Sequence, residues 1–424
     1  MDGDPAVESQ LDSFSLTFPL PYRVAFIIIL AVWGWGVNLH YLYLLNIDVP
    51  SLIRYPGRSS PTHAPHHLST YRLATVLSIS FALSITAFWI LSHRDPELVI
   101  YYDWLPMSYL VVLAALFVIP FRSLSLSHSG RGRLLATLRR VSVGGLAEAH
   151  NGKFGDILLA DVLTSYSKIL ADLFVCACMF FSRGGSATER PDRDCGGSVV
   201  VPLIMAVPFL IRFRQCCIEY VRVRRAPFKE SAGWGGQHLA NAAKYASSFP
   251  VLLFSALLRA AESSSSSSAG AGADKSPATA AHSPGLYRAW LLAVAVNSLY
   301  SFYWDVAKDW DLTLFSARER NSSEHPFGLR SPLYIQPAPL VYYAVIALDL
   351  VLRCTWVIKL SPRLDHVSGF ESSIFLLQAL EVVRRWIWIF FRVETEWVRN
   401  TNTGLGVEDI LMGDYSPKYE DAED

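Results

Sequence analysis

FESSIFLLQALEVVRRWIWIFFR, residues 370–392, is long and apolar enough to cross a bilayer, yet it holds Glu381, Arg384 and Arg385 near its middle. Roughly 20 apolar residues are needed to cross ~30 Å of hydrocarbon as a helix. At helical spacing, Gln378, Glu381, Arg385, Trp388 and Arg392 fall on one stripe, with Arg384 beside it. A charge at the bilayer centre costs ~2.5–3.5 kcal/mol, so Arg384 and Arg385 facing lipid would together cost roughly 5–7 kcal/mol. The stripe must therefore face other helices or water. This reading predicts an all-α fold, a polytopic transmembrane helical bundle.

The rest of the chain agrees. Its 424 residues are 52% hydrophobic and only 17% charged, with a mean hydropathy of +0.28, too apolar for a soluble domain of this length. Apolar stretches predict about nine spans, near 22–46, 70–93, 98–120, 155–182, 198–220, 238–261, 286–310, 335–359 and 370–392. Asp2, Asp4, Glu8 and Asp12 precede the first span without a Lys or Arg, which is unlike a cleaved signal peptide. Between spans, one alternate set of loops holds eighteen Lys and Arg residues and the other eight. The positive-inside rule then predicts a lumenal amino terminus and a cytosolic carboxyl terminus. Lys+Arg equals Asp+Glu at 37 each, so net charge suggests no nucleic-acid partner.

The expected organisation is a lumenal tail (1–21), three helices (22–120), a basic cytosolic linker (121–154), six further spans (155–399) and an acidic cytosolic tail (400–424). Within the six-span part, 262–285 begins with the serine run Ser263–Ser268 and reads as a flexible lumenal loop. The six cysteines suggest neither a disulfide framework nor a metal motif. Cys176, Cys178 and Cys354 fall inside spans, Cys195 stands alone in a lumenal loop, and Cys216 and Cys217 lie near a cytosolic helix end, open to packing or palmitoylation. The sequon at Asn321 falls in a loop expected to be cytosolic. No cofactor motif is evident. His-Glu-x-x-His, Gly-x-Ser-x-Gly and Walker patterns are absent, which argues against an enzyme or an ATP-driven pump.

Charges recur in other spans. Asp161, Ser165, Lys168 and Asp172 are spaced for one face of the fourth, Asp305 and Asp309 for the seventh, and Asp349, Arg353 and Trp356 for the eighth. Arg212 and Lys244 add cations from the fifth and sixth. Local i,i+4 neutralisation explains Asp349 with Arg353, or Glu381 with Arg385, taken singly. Snorkelling explains Arg212 or Lys244 singly, and Tyr245, Trp304 and Trp356 suit interface belts or core packing. Five cations from four helices exceed what one salt bridge needs. Together with carboxylates they suit a hydrated anion pathway, in which guanidinium forks bind a tetrahedral oxyanion and carboxylates restrain the forks.

The blocks 156-DILLADVLTS-165, 211-IRF-213, 241-NAAKY-245, Tyr303-Trp304-Asp305 through Asp309-Trp310, Leu352-Arg353 through Trp356, and 381-EVVRR-385 occur in this order. Together they resemble the EXS-domain family, which includes eukaryotic phosphate exporters and a fungal ER-retention-defective protein of the Golgi. The resemblance implies an EXS domain over 155–399. It implies phosphate-pathway roles for Asp161, Arg212, Lys244, Tyr245, Asp305, Asp309, Arg353, Trp356, Arg384 and Arg385; Lys168, Asp172, Asp349 and Glu381, read from charge spacing, stand in support. The exporters' SPX domain and one further helix are not matched, so the short form is the more similar. That form implies passive, channel-like return of lumenal inorganic phosphate from glycosylation across the Golgi membrane, with support of glycosyltransferase retention. The endoplasmic reticulum is the alternative location. The rival reading is a membrane interaction protein that retains Golgi or ER residents through sorting-adaptor contacts, favoured by the basic linker. The expected partners are phosphate and the lipid bilayer, with glycosyltransferases, their adaptor and a second copy in a homodimer left open.

Overall fold

A computed structural model of the protein describes residues 12–53, 66–119, 128–148, 151–182, 185–226, 235–268, 284–316, 326–335, 338–360 and 371–402. The described secondary structure is entirely helical. The serial helices are α1 (Ser13–Thr17), α2 (Leu20–Leu44), α3 (Val49–Leu52), α4 (His66–Ser92), α5 (Pro96–Tyr101), α6 (Trp104–Val118), α7 (His128–Ser142), α8 (Lys153–Ser165) and α9 (Ser167–Phe181). They continue as α10 (Val200–Arg225), α11 (Gly236–Ala246), α12 (Ser248–Ser268), α13 (Pro284–Trp304), α14 (Pro339–Arg353) and α15 (Glu371–Asn402). A π turn, Asp305–Asp309, ends α13, and a 3-10 turn, Thr355–Leu360, follows α14.

Four segments are long and apolar enough to cross a membrane: Leu20–Leu44, His66–Ser92, Pro96–Val118 and Val200–Arg225. Lys153–Ser165 with Ser167–Phe181 makes a fifth if that bent pair is one span. The protein is thus a helical membrane protein. Helices also occupy the remaining stretches expected from the sequence, but they are short, interrupted or charged. α14, at 15 residues, covers only about 22 Å at ~1.5 Å per residue. α15 is long enough but carries the charge stripe.

Packing divides into two cores. In one, Tyr22 of α2, Leu77 and Phe88 of α4, Tyr109 of α6 and Val175 of α9 close the amino-terminal half. In the other, Trp310, Tyr342, Trp388 and Phe391 join the π turn, α14 and α15. α15 is the shared element: it packs on α2, α8 and α14. Its later part is pinned by Glu394, which accepts from Arg330 (2.5 Å), Tyr342 Oη (2.7 Å) and the Tyr334 and Ile335 amides (2.5 and 3.0 Å).

Several expectations need correction. The face expected over Asp161–Asp172 is not continuous, because the helix breaks at Tyr166 and bends by 62°. Thr164, Ser165 and Ser167 crowd that point, and Thr164 Oγ1 donates to the Asp161 carbonyl at 2.7 Å, the side-chain competition that weakens a helical ladder. The serine run is not all loop, since α12 extends through Ser268. Serine costs only a few tenths of a kcal/mol to about 0.7 relative to alanine in a helix, and extending a nucleated helix is easy. The basic linker contains α7. Cys178 and Cys195 are joined in a disulfide, with Cα atoms 6.1 Å apart, because the residues after α9 fold back over its last turn. Cys216 is buried and Cys217 half-buried. The sequon at Asn321 and the tail from 403 lie outside the described residues.

Candidate functional site

Local structure decides how each charge reaches the centre. α11 stops one residue beyond Tyr245 because Pro250 lacks an N–H and its ring excludes the carbonyl of residue 246. Ser247 Oγ donates to the Lys244 carbonyl at 2.6 Å. Lys244 and Tyr245 thereby sit at a helix end inside the bundle, both buried. In the π turn, Trp310 N bonds Asp305 O at 2.9 Å, and this wider turn directs both Asp305 and Asp309 at Lys244 Nζ, 3.3 and 3.4 Å away.

The cations are paired across helices rather than only along their own. Arg212 Nε of α10 donates to Asp161 Oδ1 of α8 at 2.7 Å, and Tyr245 Oη donates to the same oxygen. Arg353 of α14 meets Asp305 as well as its own helix's Asp349, the latter at 3.2 Å. Arg384 reaches Glu381 (2.7 Å), Asp349 (3.0 Å) and Asp305 (3.4 Å). Ser165 Oγ donates to Glu381 Oε1 at 2.6 Å and accepts from Arg385 Nε at 2.9 Å. One hydrogen-bonded seam therefore runs through α8, the π turn, α14 and α15, with Arg212, Lys244 and Tyr245 on its flank. Isolated buried charges of this kind would be strongly penalised, and the mutual pairing is what makes the seam tolerable.

Arg385 differs from its neighbours. Its guanidinium is 6% exposed and bonds two neutral hydroxyls, Ser165 Oγ and Thr164 Oγ1 (3.3 Å), while lying 4.4 Å from the Trp388 ring centroid. Among the described residues no carboxylate comes within ion-pair distance of it. Around the seam, the indole N–H groups of Trp304, Trp310, Trp356 and Trp388 are buried without an acceptor among the described residues. Trp310 and Trp388, with Asp349 and Arg384, line a small cavity with room for about one water. That cavity is too small for an ion as large as phosphate.

Asp161, Arg212, Lys244, Tyr245, Asp305, Asp309, Arg353, Arg384 and Arg385 are thus brought together, with Asp349 and Glu381 among them. Trp356 lies half-buried on the turn after α14. The break at Tyr166 separates the other two: Lys168 is exposed, and Asp172 accepts from Gln378 at 2.6 Å, farther toward the start of α15. Thr164 and Gln215 were not singled out by charge. Gln215 accepts from Arg212 Nη1 at 2.8 Å, and its spacing three residues after Arg212 was the available signal. Nearer the start of α15, Glu371 receives both Arg23 of α2 (2.8 Å) and Arg193 (2.9 Å), the latter from the disulfide-stapled loop. Burial works to lower the Arg193 pKa, but Glu371 holds it above its ordinary value.

The EXS family model matches residues 18–398. The chain belongs to the EXS family. The match takes in α2–α6 as well as the later helices. Among EXS relatives, Protein ERD1 homolog 2 of Schizosaccharomyces pombe is 27% identical over 403 residues, covering 88% of this chain and 95% of that protein. Protein ERD1 of Kluyveromyces lactis is 32% identical over 263 residues, or 58% and 60% of the two chains. Human solute carrier family 53 member 1 is 26% identical over 92% of this chain but 52% of its own length. A transporter, rather than an enzyme, is the class to which these EXS relatives point.

Proposed function

We propose that this EXS protein passes inorganic phosphate through the buried seam, down its electrochemical gradient, from the Golgi lumen to the cytosol. Arg385 carries the reading: a buried guanidinium held by two hydroxyls presents its charge to an anion without first having to shed a carboxylate. The unpartnered indole donors supply further hydrogen bonds of the kind an oxyanion accepts. Passage requires the ion pairs of Arg353 and Arg384 to part, since the cavity beside them is far too small. The seam thus acts as site and gate together. Support of glycosyltransferase retention follows in this reading from phosphate balance in the lumen.

The nine-span arrangement with a lumenal amino terminus gives the pathway its sidedness. The Cys178–Cys195 disulfide favours it, because the stapled loop is one that charge distribution assigns to the lumen, and structural disulfides persist in oxidising compartments. The test is radiolabelled phosphate flux into proteoliposomes. Flux above protein-free vesicles that Arg385→Gln removes supports the proposal, and no flux from well-folded protein refutes it.

A further inference from the structure

We infer that α7 is an in-plane amphipathic helix that binds anionic phospholipid headgroups at the cytosolic surface and holds the neighbouring part of the seam. Residues 128–142 contain Arg131, Arg133, Arg139 and Arg140 and no carboxylate. Three of the four arginines are engaged within the protein, Arg133 through Nη2 to the Ile53 and Asn151 carbonyls at 3.5 Å. Arg131 donates to the carbonyls of Leu116 and Ile119 (2.7 Å for the second) at the end of α6, which fixes α7 where an apolar span ends. Arg140 pairs with Asp156 through Nε at 2.7 Å and through Nη2. Arg139 is left exposed, next to an apolar strip of Leu134 and Leu138, 37% and 36% exposed, with Val143 beyond them at 68%. Arg224 and Arg225 at the end of α10 are exposed as well.

Exposed leucines with an exposed arginine flanking them, where a span ends, fit a lipid surface. The leucines enter the acyl boundary while the guanidinium meets phosphate. The cytosolic leaflet supplies the complementary negative charge, and each arginine near it contributes about 1 kcal/mol. An acidic protein partner would account for Arg139 but not for the leucines beside it.

The residues after α7 reach the seam. Gly144 adopts φ +71°, and a Cβ there would lie 2.6 Å from Arg214 Cδ. Arg214 donates to Val143 O, Gln215 Nε2 to Gly145 O at 2.9 Å, and Arg222 to the Leu146 and Ala147 carbonyls at 2.8 and 2.9 Å. Gln215 is also the acceptor for Arg212. A helix drawn against the membrane therefore positions the Gln215–Arg212 contact. This last step rests on the transport reading, whereas lipid binding itself does not.

The experiment is hydrogen exchange by mass spectrometry on the full chain in nanodiscs of phosphatidylcholine alone or of equal parts phosphatidylcholine and phosphatidylserine. Peptides over 128–142 should exchange about fivefold more slowly in the anionic discs, the effect of one arginine at such a surface. The difference should vanish in the triple variant Leu134→Ser/Leu138→Ser/Arg139→Gln, with peptides from α13 unchanged as a fold control. Equal exchange of the wild-type peptides in both lipids overturns the inference. So does protection that tracks the number of protein copies per disc, which would mark a protein contact instead. Neither readout requires flux.

Discussion

Replacing Arg385 by glutamine separates binding from folding unusually well, because no carboxylate loses its counter-charge. In the closed conformation the change removes two hydrogen bonds to hydroxyls while relieving the burial of a charge, so the net stability change should stay within about 2 kcal/mol. Transport should respond far more. A guanidinium holding an oxyanion through two charge-assisted bonds, each ~1.5–3 kcal/mol, contributes ~3–6 kcal/mol, which corresponds to at least a hundredfold in flux. Arg385→Lys keeps the charge but loses the fork, so it should fall about ten- to hundredfold. Radiolabelled phosphate uptake into proteoliposomes, corrected for protein incorporated and for a leak marker, measures both variants beside the wild type. If the glutamine variant, with unaltered melting behaviour, retained flux within about threefold of wild type, the assignment of Arg385 to the ion would be wrong.

Other positions should behave differently. Asp161→Asn strips Arg212 of its carboxylate, and breaking such a buried pair costs about 3–5 kcal/mol. Thermal unfolding in detergent should fall accordingly, and a melting point equal to wild type would contradict the pairing. Glu394→Gln weakens four contacts in the core that joins the π turn, α14 and α15. It should cost about 2–4 kcal/mol, with flux per folded molecule preserved; flux lost without a drop in stability would instead give Glu394 a place in the pathway. Cys178→Ser opens a disulfide whose cysteines are separated by 17 positions in sequence and should cost about 3 kcal/mol. Mass spectrometry of unreduced protein finding a free thiol at Cys178 would remove that expectation.

The membrane fold and most of the cluster were legible for the same reason: charge inside an apolar run is costly enough that its presence already implies partners. Glu381, Arg384 and Arg385 declared themselves this way, and so did Asp305, Asp309 and Arg353. Periodicity could not reveal where a helix stops being continuous. Asp161 through Asp172 read as a single face, and only the bend at Tyr166 separates Asp161 from Asp172. The break after Tyr245 had a visible cause in Pro250, but the break at Tyr166 rests on several weak side-chain competitors that sequence alone does not rank. The Cys178–Cys195 link was hidden because one cysteine sits in the last turn of a helix and the other in a loop whose return path is tertiary. Thr164 and Gln215 were hidden because neutral polar groups are cheap enough to bury that they raise no alarm until their partners are known.

The ladder of alternating residues through α8, the π turn, α14 and α15 has an electrostatic consequence of its own. With every group ionised, the five cations Arg212, Lys244, Arg353, Arg384 and Arg385 equal in number the five carboxylates Asp161, Asp305, Asp309, Asp349 and Glu381, although Arg385 itself meets hydroxyls. The resting interior is consequently electroneutral, and a multivalent guest would leave it with surplus negative charge. Under the proposed phosphate passage, each such arrival would bring a proton with it or draw an acidic side chain aside, which would tie occupancy to opening.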